Sequence, residues 1–457
     1  MTVKQIPILF LLISAFCSYS QTIQNLINEV NIDTLSVTIS EFSGEQTTIV
    51  GGNTVTIINR EQANNELAGD YLLERFSALE NITVSEQLFN TKGRNIIATQ
   101  IGKTNPDTIY LVCAHYDSVA DFCADDNASG TAAVLEIARI LSTQCLDNTI
   151  VYALWDEEEK GLLGSQFYAN QAAANGDSIL GVLNMDMIGY DGDAAGQTGD
   201  NEFDIDYRNI AGSVAMKDDI LGVLNAYSFN LNVIEVNPGT TASDHASFWD
   251  QGYSAVLVGE SWATNDQTPF YHSSQDRFAT LDLPYLHEMV KLVTGYMVTK
   301  GGLVAVDNTI TQSSTGLSSN QNTGSYQWYN CDTGGAISGA INQVYVPTVS
   351  ANYAVEVTMG GCIERSACVF FDSTLGLDVF SANELKIYPI PANHFITVEL
   401  FYDNDTELTL FDVSGKLLLS KMISESTTLP VKDLPQGIYF LKVQTDKRIG
   451  TYKIIKA

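Results

Sequence analysis

Positive charge is scarce in this chain of 457 residues. Against 54 aspartates and glutamates stand 23 lysines and arginines, a formal net charge of −31. Such a surface repels a phosphate backbone, which excludes nucleic-acid binding as the function. Long apolar runs are scarce too. The stretch Ile6–Phe16 is too short to span a bilayer, and no later segment is apolar enough to try. Lys4 precedes that stretch and the small residues Ser18 and Ser20 follow it, so residues 1–20 read as a secretory signal peptide cleaved before Gln21. Phe16 is too large for a lipid-attachment site at Cys17, so cleavage rather than anchoring is expected.

Histidine and cysteine are also few, five and seven respectively. Cys17 leaves with the leader. The other six, Cys113, Cys123, Cys145, Cys331, Cys362 and Cys368, enter an oxidising compartment where disulfides form. Six cysteines allow fifteen pairings. Cys123 with Cys145 is one pair the sequence suggests, and Cys113, inside an apolar run, reads as a buried free thiol.

What remains is ordinary globular material, 45% hydrophobic and 10% aromatic, in a chain long enough for two or three domains. Most of the acidity reads as a solvated surface. The cluster Asp191, Asp193, Asp200, Glu202, Asp204 and Asp206 lacks the ordered spacing of a calcium loop. From about residue 90 to 300, short apolar runs alternate with amphipathic stretches. Strands are expected over 108–114, 150–155, 179–185 and 254–259, and helices over 128–141, 162–173 and 283–300. That alternation implies an α/β domain with a mainly parallel mixed sheet between helices. Beyond it, residues 309–325 are rich in Ser, Thr, Asn, Gln and Gly. Then "SYQWYNC" and "ANYAVEV", and further on "LKIYPIPANHFITVEL", "LTLFDVSGKLLL" and "LPQGIYFLKV", alternate as strands do. They predict two small all-β sandwich modules, at 302–375 (immunoglobulin-like) and 376–457.

Ligand-type residues gather where the expected strands end. The first runs into His115 and Asp117, the second into Asp156, Glu157, Glu158 and Glu159, the third into Asp186. In an open parallel sheet the strand C-termini share one edge, where ligands bind. Carboxylates converging there repel one another unless cations neutralise them. Imidazole and carboxylate together suit zinc.

Six stretches carry a resemblance: "AHYDS" (114–118), "ADDNASG" (124–130), "EEKGLLGS" (158–165), "NMDMIG" (184–189), "SDHASF" (243–248) and "YHSSQD" (271–276). In this order they resemble the secreted co-catalytic zinc aminopeptidases, a family whose clan includes glutamate carboxypeptidases and glutaminyl cyclases; the match covers 21–301. The resemblance implies two zinc ions per chain bridged by Asp126. His115 and Asp186 would complete one site, and Glu159 and His272 the other. Glu158 would be the general base acting on a zinc-bridging water, and Asp117 would orient His115. Gly161 sets this register, two residues after the ligand Glu159. Met187, directly after a ligand, would line the pocket for the first side chain and suggests an apolar preference. A single histidine at a strand end is more often packed than ligating, and only the six ordered motifs lift His115 and His272 above that. His245, His287 and His394 are read as structural. Before "SDH" stand Pro238, Gly239, Thr240 and Thr241, with no tyrosine to stabilise an oxyanion. The expected activity is removal of N-terminal residues from peptides by a monomeric catalytic domain. The alternatives are a mono-zinc glutaminyl cyclase or a carboxypeptidase of the same clan.

"YPIPANHFITV", "DVSGKLL", "GIYFLKV" and the tail "YKIIKA" resemble the C-terminal sorting domain of the type IX secretion system. That resemblance implies a secretion-machinery partner and passage through the periplasm to the medium or the outer-membrane surface.

Overall fold

A computed structural model describes residues 18–61, 64–192, 200–373, 379–401 and 405–457. Most of the expected leader lies outside the described residues. The chain divides into two compact units, Met1–Ala305 and Val306–Ala457. Among the described residues no helix is long and apolar enough to cross a membrane.

The first unit opens with helices α1 (Ser18–Asn28) and α2 (Ile32–Phe42), a hairpin of β1 (Thr48–Val50) and β2 (Asn53–Val55), and α3 (Asn65–Ser77). Eight further strands make one sheet: β3 (Thr83–Leu88), β4 (Arg94–Gln100), β5 (Asn105–His115), β6 (Asn148–Trp155), β7 (Ile179–Met185), β8 (Glu202–Asp206), β9 (Asn232–Val236) and β10 (Ala255–Glu260). Their spatial order is β3-β4-β6-β5-β7-β10-β8-β9. The central run β6-β5-β7-β10 is parallel, as is the edge pair β8-β9, whereas β3-β4, β4-β6 and β10-β8 pair antiparallel. The expected strands and helices fall within two or three residues of those observed, apart from the longer N-terminal reach of β5.

Burial on both faces explains why β5 and β6 read as unbroken apolar runs. Alternate residues serve opposite layers. Val112, Ala114, Ile150, Tyr152 and Leu154 pack into the larger core, against α2, α4 (Gly130–Leu141) and α8 (Leu283–Gly301). Leu111, Cys113, Val151, Ala153 and Trp155 pack into a second core with residues of α5 (Leu163–Asn175) and α7 (His245–Asp250). Helix α8 has matched ends. Asp282 accepts the Tyr285 amide, Pro284 sits in the first turn, and Gly302 closes it in the left-handed region. Helix α6 (Ser213–Ala226) also packs against α8.

Two sheets around one core build each part of the second unit. In 310–371, Trp328, Val355, Val357 and Leu317 fill the space between a three-stranded and a five-stranded sheet. In 385–456, Ile396, Val398, Leu408, Leu441 and Val443 do so between sheets of three and four strands. All ladder pairings in both are antiparallel.

One sequence expectation fails. Cys123 is a free thiol, fully buried, so it does not pair with Cys145. Its residue takes a left-handed conformation and its Sγ turns inward, 3.5 Å from the Ala120 carbonyl. Cys113 is the buried free thiol expected. A disulfide joins Cys331 to Cys368 in the first β module.

Candidate metal centre and active site

The strand ends of β5, β6 and β7 deliver His115, the run 156–159 and Asp186 to one edge of the sheet. A loop between β5 and α4 brings Asp126 over that edge, and the segment after β10 brings His272. His115 Nε2 stands 3.3 Å from Asp126 Oδ1 and 3.3 Å from Asp186 Oδ1. His272 Nε2 stands 3.3 Å from Asp126 Oδ2 and 3.1 Å from Glu159 Oε2. The five candidates therefore form two groups, and Asp126 gives one oxygen to each.

Those separations test the fit of a metal. Donors 2.0–2.2 Å from a tetrahedral zinc stand about 3.3–3.6 Å from one another. The two groups match this spacing to within a few tenths of an ångström, and the donor types match as well. Asp126 Oδ2 and Glu159 Oε1 are buried without a hydrogen-bond donor, as expected of atoms reserved for a cation. Without one, burial pushes the Glu158 carboxyl up to about 10, despite the opposing charge of His115, with Asp244, Asp186 and Glu159 adding to it. Burial and the charge of Asp126 likewise push Glu159 up to about 8. Burial alone would lower the His115 pKa, but the surrounding carboxylates, Asp186 foremost, hold it well above the ordinary value. Concentrated negative charge of this kind calls for positive charge.

The consecutive glutamates diverge. Glu157 has a left-handed backbone, φ 56°, which turns its carboxylate away to Asn90 Nδ2 at 2.5 Å and Lys160 Nζ at 3.1 Å. Glu158 lines the cavity, and Glu159 meets His272. Asp117 accepts the backbone amides of both Glu158 and Glu159 at 3.2 Å and lies 3.4 Å from His115 Nδ1. Met187 and His272 are also left-handed, with φ of 55° and 54°. Non-glycine residues held there cost on the order of 1–3 kcal/mol and tend to mark functional sites. Gly130 lets the loop close on β7, since a Cβ there would meet Asn127 Oδ1 at 2.4 Å and the Met185 carbonyl at 2.8 Å.

Apart from Asp156, the supporting residues were not singled out from the sequence. Asp276 accepts the amides of Asp125 (2.9 Å) and Asp126 (2.9 Å), fixing the loop that carries the shared carboxylate. Arg60 is wholly buried and donates to the carbonyls of Tyr116, Phe42, Phe122 and Cys123. Ser243 donates to Asp186 Oδ2 at 2.6 Å and receives a bond from Asn184. Asp156 accepts the amides of Arg94 and Glu157 and the Asn65 side chain. Asp276 and Ser243 lay inside quoted motifs, so a signal existed; Arg60 carried none. His245 stays outside the metal groups. Its Nε2 faces the Thr240 carbonyl at 2.9 Å, its ring meets Trp249 edge-on, and burial lowers its pKa to about 4. The acidic stretch 191–206 is split. Glu202–Asp206 forms β8, Asp193 lies outside the described residues, and Asp191 and Asp200 gather instead with Asp266.

A cavity of about 490 Å³ opens over the centre, lined by all five candidate ligands, Glu158 and Met187. Loops at the C-terminal edge of a mixed α/β sheet thus hold a histidine–carboxylate cluster beneath this cavity. Residues 95–297 match the Peptidase family M28 model. Residues 386–457 match the Secretion system C-terminal sorting domain. Leucine aminopeptidase 1 of Trichophyton equinum is 33% identical over 217 residues, 44% of this chain and 57% of that protein. Leucine aminopeptidase 1 of Trichophyton rubrum is 31% identical over 222 residues, 46% and 58% of the two chains. The chain thus spans a little over half the length of these curated relatives. Among solved structures, the LapA aminopeptidase of Legionella pneumophila shares the fold, with a TM-score of 0.53 and 18% identity over 63% of this chain and 76% of that one.

Proposed function

We propose that this protein is a secreted aminopeptidase working with two zinc ions. The observation that carries the reading is the pair of donor groups sharing Asp126, each with ligand-atom separations of 3.1–3.3 Å. In this reading His115 and Asp186 would hold one ion and Glu159 and His272 the other, with Asp126 offering one oxygen to each group. When bound, zinc polarises a carbonyl and makes water nucleophilic near neutral pH. Glu158 receives the proton of the attacking water and returns it to the leaving amine. Its ionised form is needed for the first step, and neighbouring cations favour that form. Asp117 keeps the His115 ring oriented and, through the 158 and 159 amides, fixes the turn that aims base and ligand apart. The leucine aminopeptidase relatives support the substrate class, and the sorting-domain match supports export by a type IX machinery. We assign 21–301 to the peptidase, 302–375 to an immunoglobulin-like spacer and 376–457 to the sorting module.

Metal analysis of the purified protein, paired with hydrolysis of free and N-acetylated peptides, tests this. Close to two zinc ions per chain are expected, with cleavage of free peptides only, lost to a chelator and restored by zinc. A single zinc with full activity, or equal cleavage of acetylated peptides, would overturn it.

A further inference from the structure

The cavity has more carboxylates than the metal centre uses. Strand β8 reads Glu-Phe-Asp-Ile-Asp, and its alternation divides it cleanly. Phe203 and Ile205 are fully buried in the main core, while Asp204 and Asp206 line the cavity. Register supplies their surroundings. Asp206 is paired with Leu257 on β10 and Val236 on β9, and Asp204 with Gly259, and all three partners line the same cavity. A Cβ on Gly259 would meet the Asp186 carbonyl at 2.5 Å, so this part of the floor stays bare. Pro238, Ala242 and Ala263 complete the apolar walls.

These carboxylates are only partly committed. Asp206 accepts the Thr240 amide at 2.7 Å through Oδ1. Asp204 is tied to Ser261 Oγ and the Ala263 amide. Glu260, 1% exposed, alternates with Gly259 along β10 and is paired with Phe203, so its side chain lies on the core face rather than beside Asp206. Its neighbours are Asp125 and the Thr268 amide. Among the described lining residues there is no lysine or arginine. Arg208, whose charge reaches Asp206, makes its hydrogen bonds to the Gly239 carbonyl and lies over the face of Trp249.

We infer that the pocket beside the metal centre is built for a basic first residue, lysine or arginine, with the side-chain stem along Val236, Pro238 and Leu257 and the cationic head at Asp206, with Asp204 beside it on the same face. Long basic side chains bury their methylenes on apolar walls while presenting the head to acceptors. An aliphatic first residue would fit the walls but leave buried carboxylates uncompensated. Met187 lines the pocket without deciding its preference.

This inference rests on the aminopeptidase reading, so the experiment separates the two. Zinc-loaded full-length protein is assayed on p-nitroanilides of lysine, arginine, leucine and phenylalanine. We expect kcat/KM for lysine and arginine to exceed that for leucine by roughly tenfold or more, the size of one desolvated charge-assisted contact. Asp206→Asn keeps an acceptor for the Thr240 amide and should lower the lysine-to-leucine ratio by about the same factor, with zinc content unchanged. The wild-type ratio should also shrink as salt rises, a reading that needs no variant. Preference for leucine or phenylalanine over both basic residues would overturn the inference and leave the aminopeptidase reading standing. Hydrolysis of none of the four would overturn both.

Discussion

The two units of this chain treat charge in opposite ways. In the first, Arg60, His115, Asp117, Asp125, Asp126, Asp156, Glu158, Asp244, Glu260 and Asp276 are all buried. In the second, the buried polar side chains among the described residues are Ser319, Thr406 and Thr445, with no charged one. Burying an ionised group costs several kcal/mol unless it is paired, hydrogen-bonded or bound to a metal. A β-sandwich core of Trp328, Val355 and Val357 carries no such cost and is held by apolar burial together with the Cys331–Cys368 disulfide. Buried charge therefore separates a unit organised around chemistry from one organised around shape.

The first way to break the comparison is at its most expensive residue. Glu158→Gln keeps side-chain size and removes the proton acceptor. Turnover should fall about 10²–10⁴-fold while both zinc ions remain, as read by steady-state kinetics and metal analysis. Loss of zinc together with turnover would make Glu158 a ligand instead. In the second unit, Trp328→Ala should cost about 3–5 kcal/mol in the first β module, measured by denaturant unfolding of that transition, with peptidase turnover unchanged.

pH sharpens the contrast. Glu158 and Glu159 have raised pKa values in the cation-free fold, so they favour folding while protonated. That contribution is complete below the unfolded value of 4.5 and is lost as pH rises through about 8 for Glu159 and about 10 for Glu158. Metal-free protein should thus lose roughly 3 °C or more in the Tm of its first unit between about pH 5 and pH 9. Zinc-loaded protein should not, because metal binding favours the deprotonated ligands. Calorimetry with and without zinc checks this, and parallel pH profiles would refute it. The smallest effect is expected at Glu157, whose carboxylate faces Asn90 and Lys160. Glu157→Gln should change turnover less than about threefold. An inactive, zinc-replete Glu157→Gln would move the base assignment by one residue.

Much of the first unit was legible because parallel strands buried on both faces are written as apolar runs, and their ends as polar residues. His115, Glu158, Glu159 and Asp186 sit where such runs stop, so the edge they share follows from topology. The supports were not legible for a physical reason. Arg60 acts through backbone carbonyls, which leave no residue-type pattern, and the motif around Asp276 did not show that its partners are the distant amides of Asp125 and Asp126. The acidic stretch around Asp204 misled because composition does not separate a loop from a strand with one face on a cavity. Cys123 and Cys145 suggested a bond that sequence alone cannot test, since pairing depends on where Cβ vectors point.

Asp276 lies 150 residues beyond Asp126, whose amide it holds. Closing so long a loop costs more chain entropy than forming a local helix or hairpin. The shared carboxylate is fixed only when almost all of the first unit has been threaded and docked. Metal capture is then a completeness signal. A chain truncated before Asp276 retains all five candidate ligands but not the brace on Asp126, so it should compete poorly for zinc against its finished counterpart.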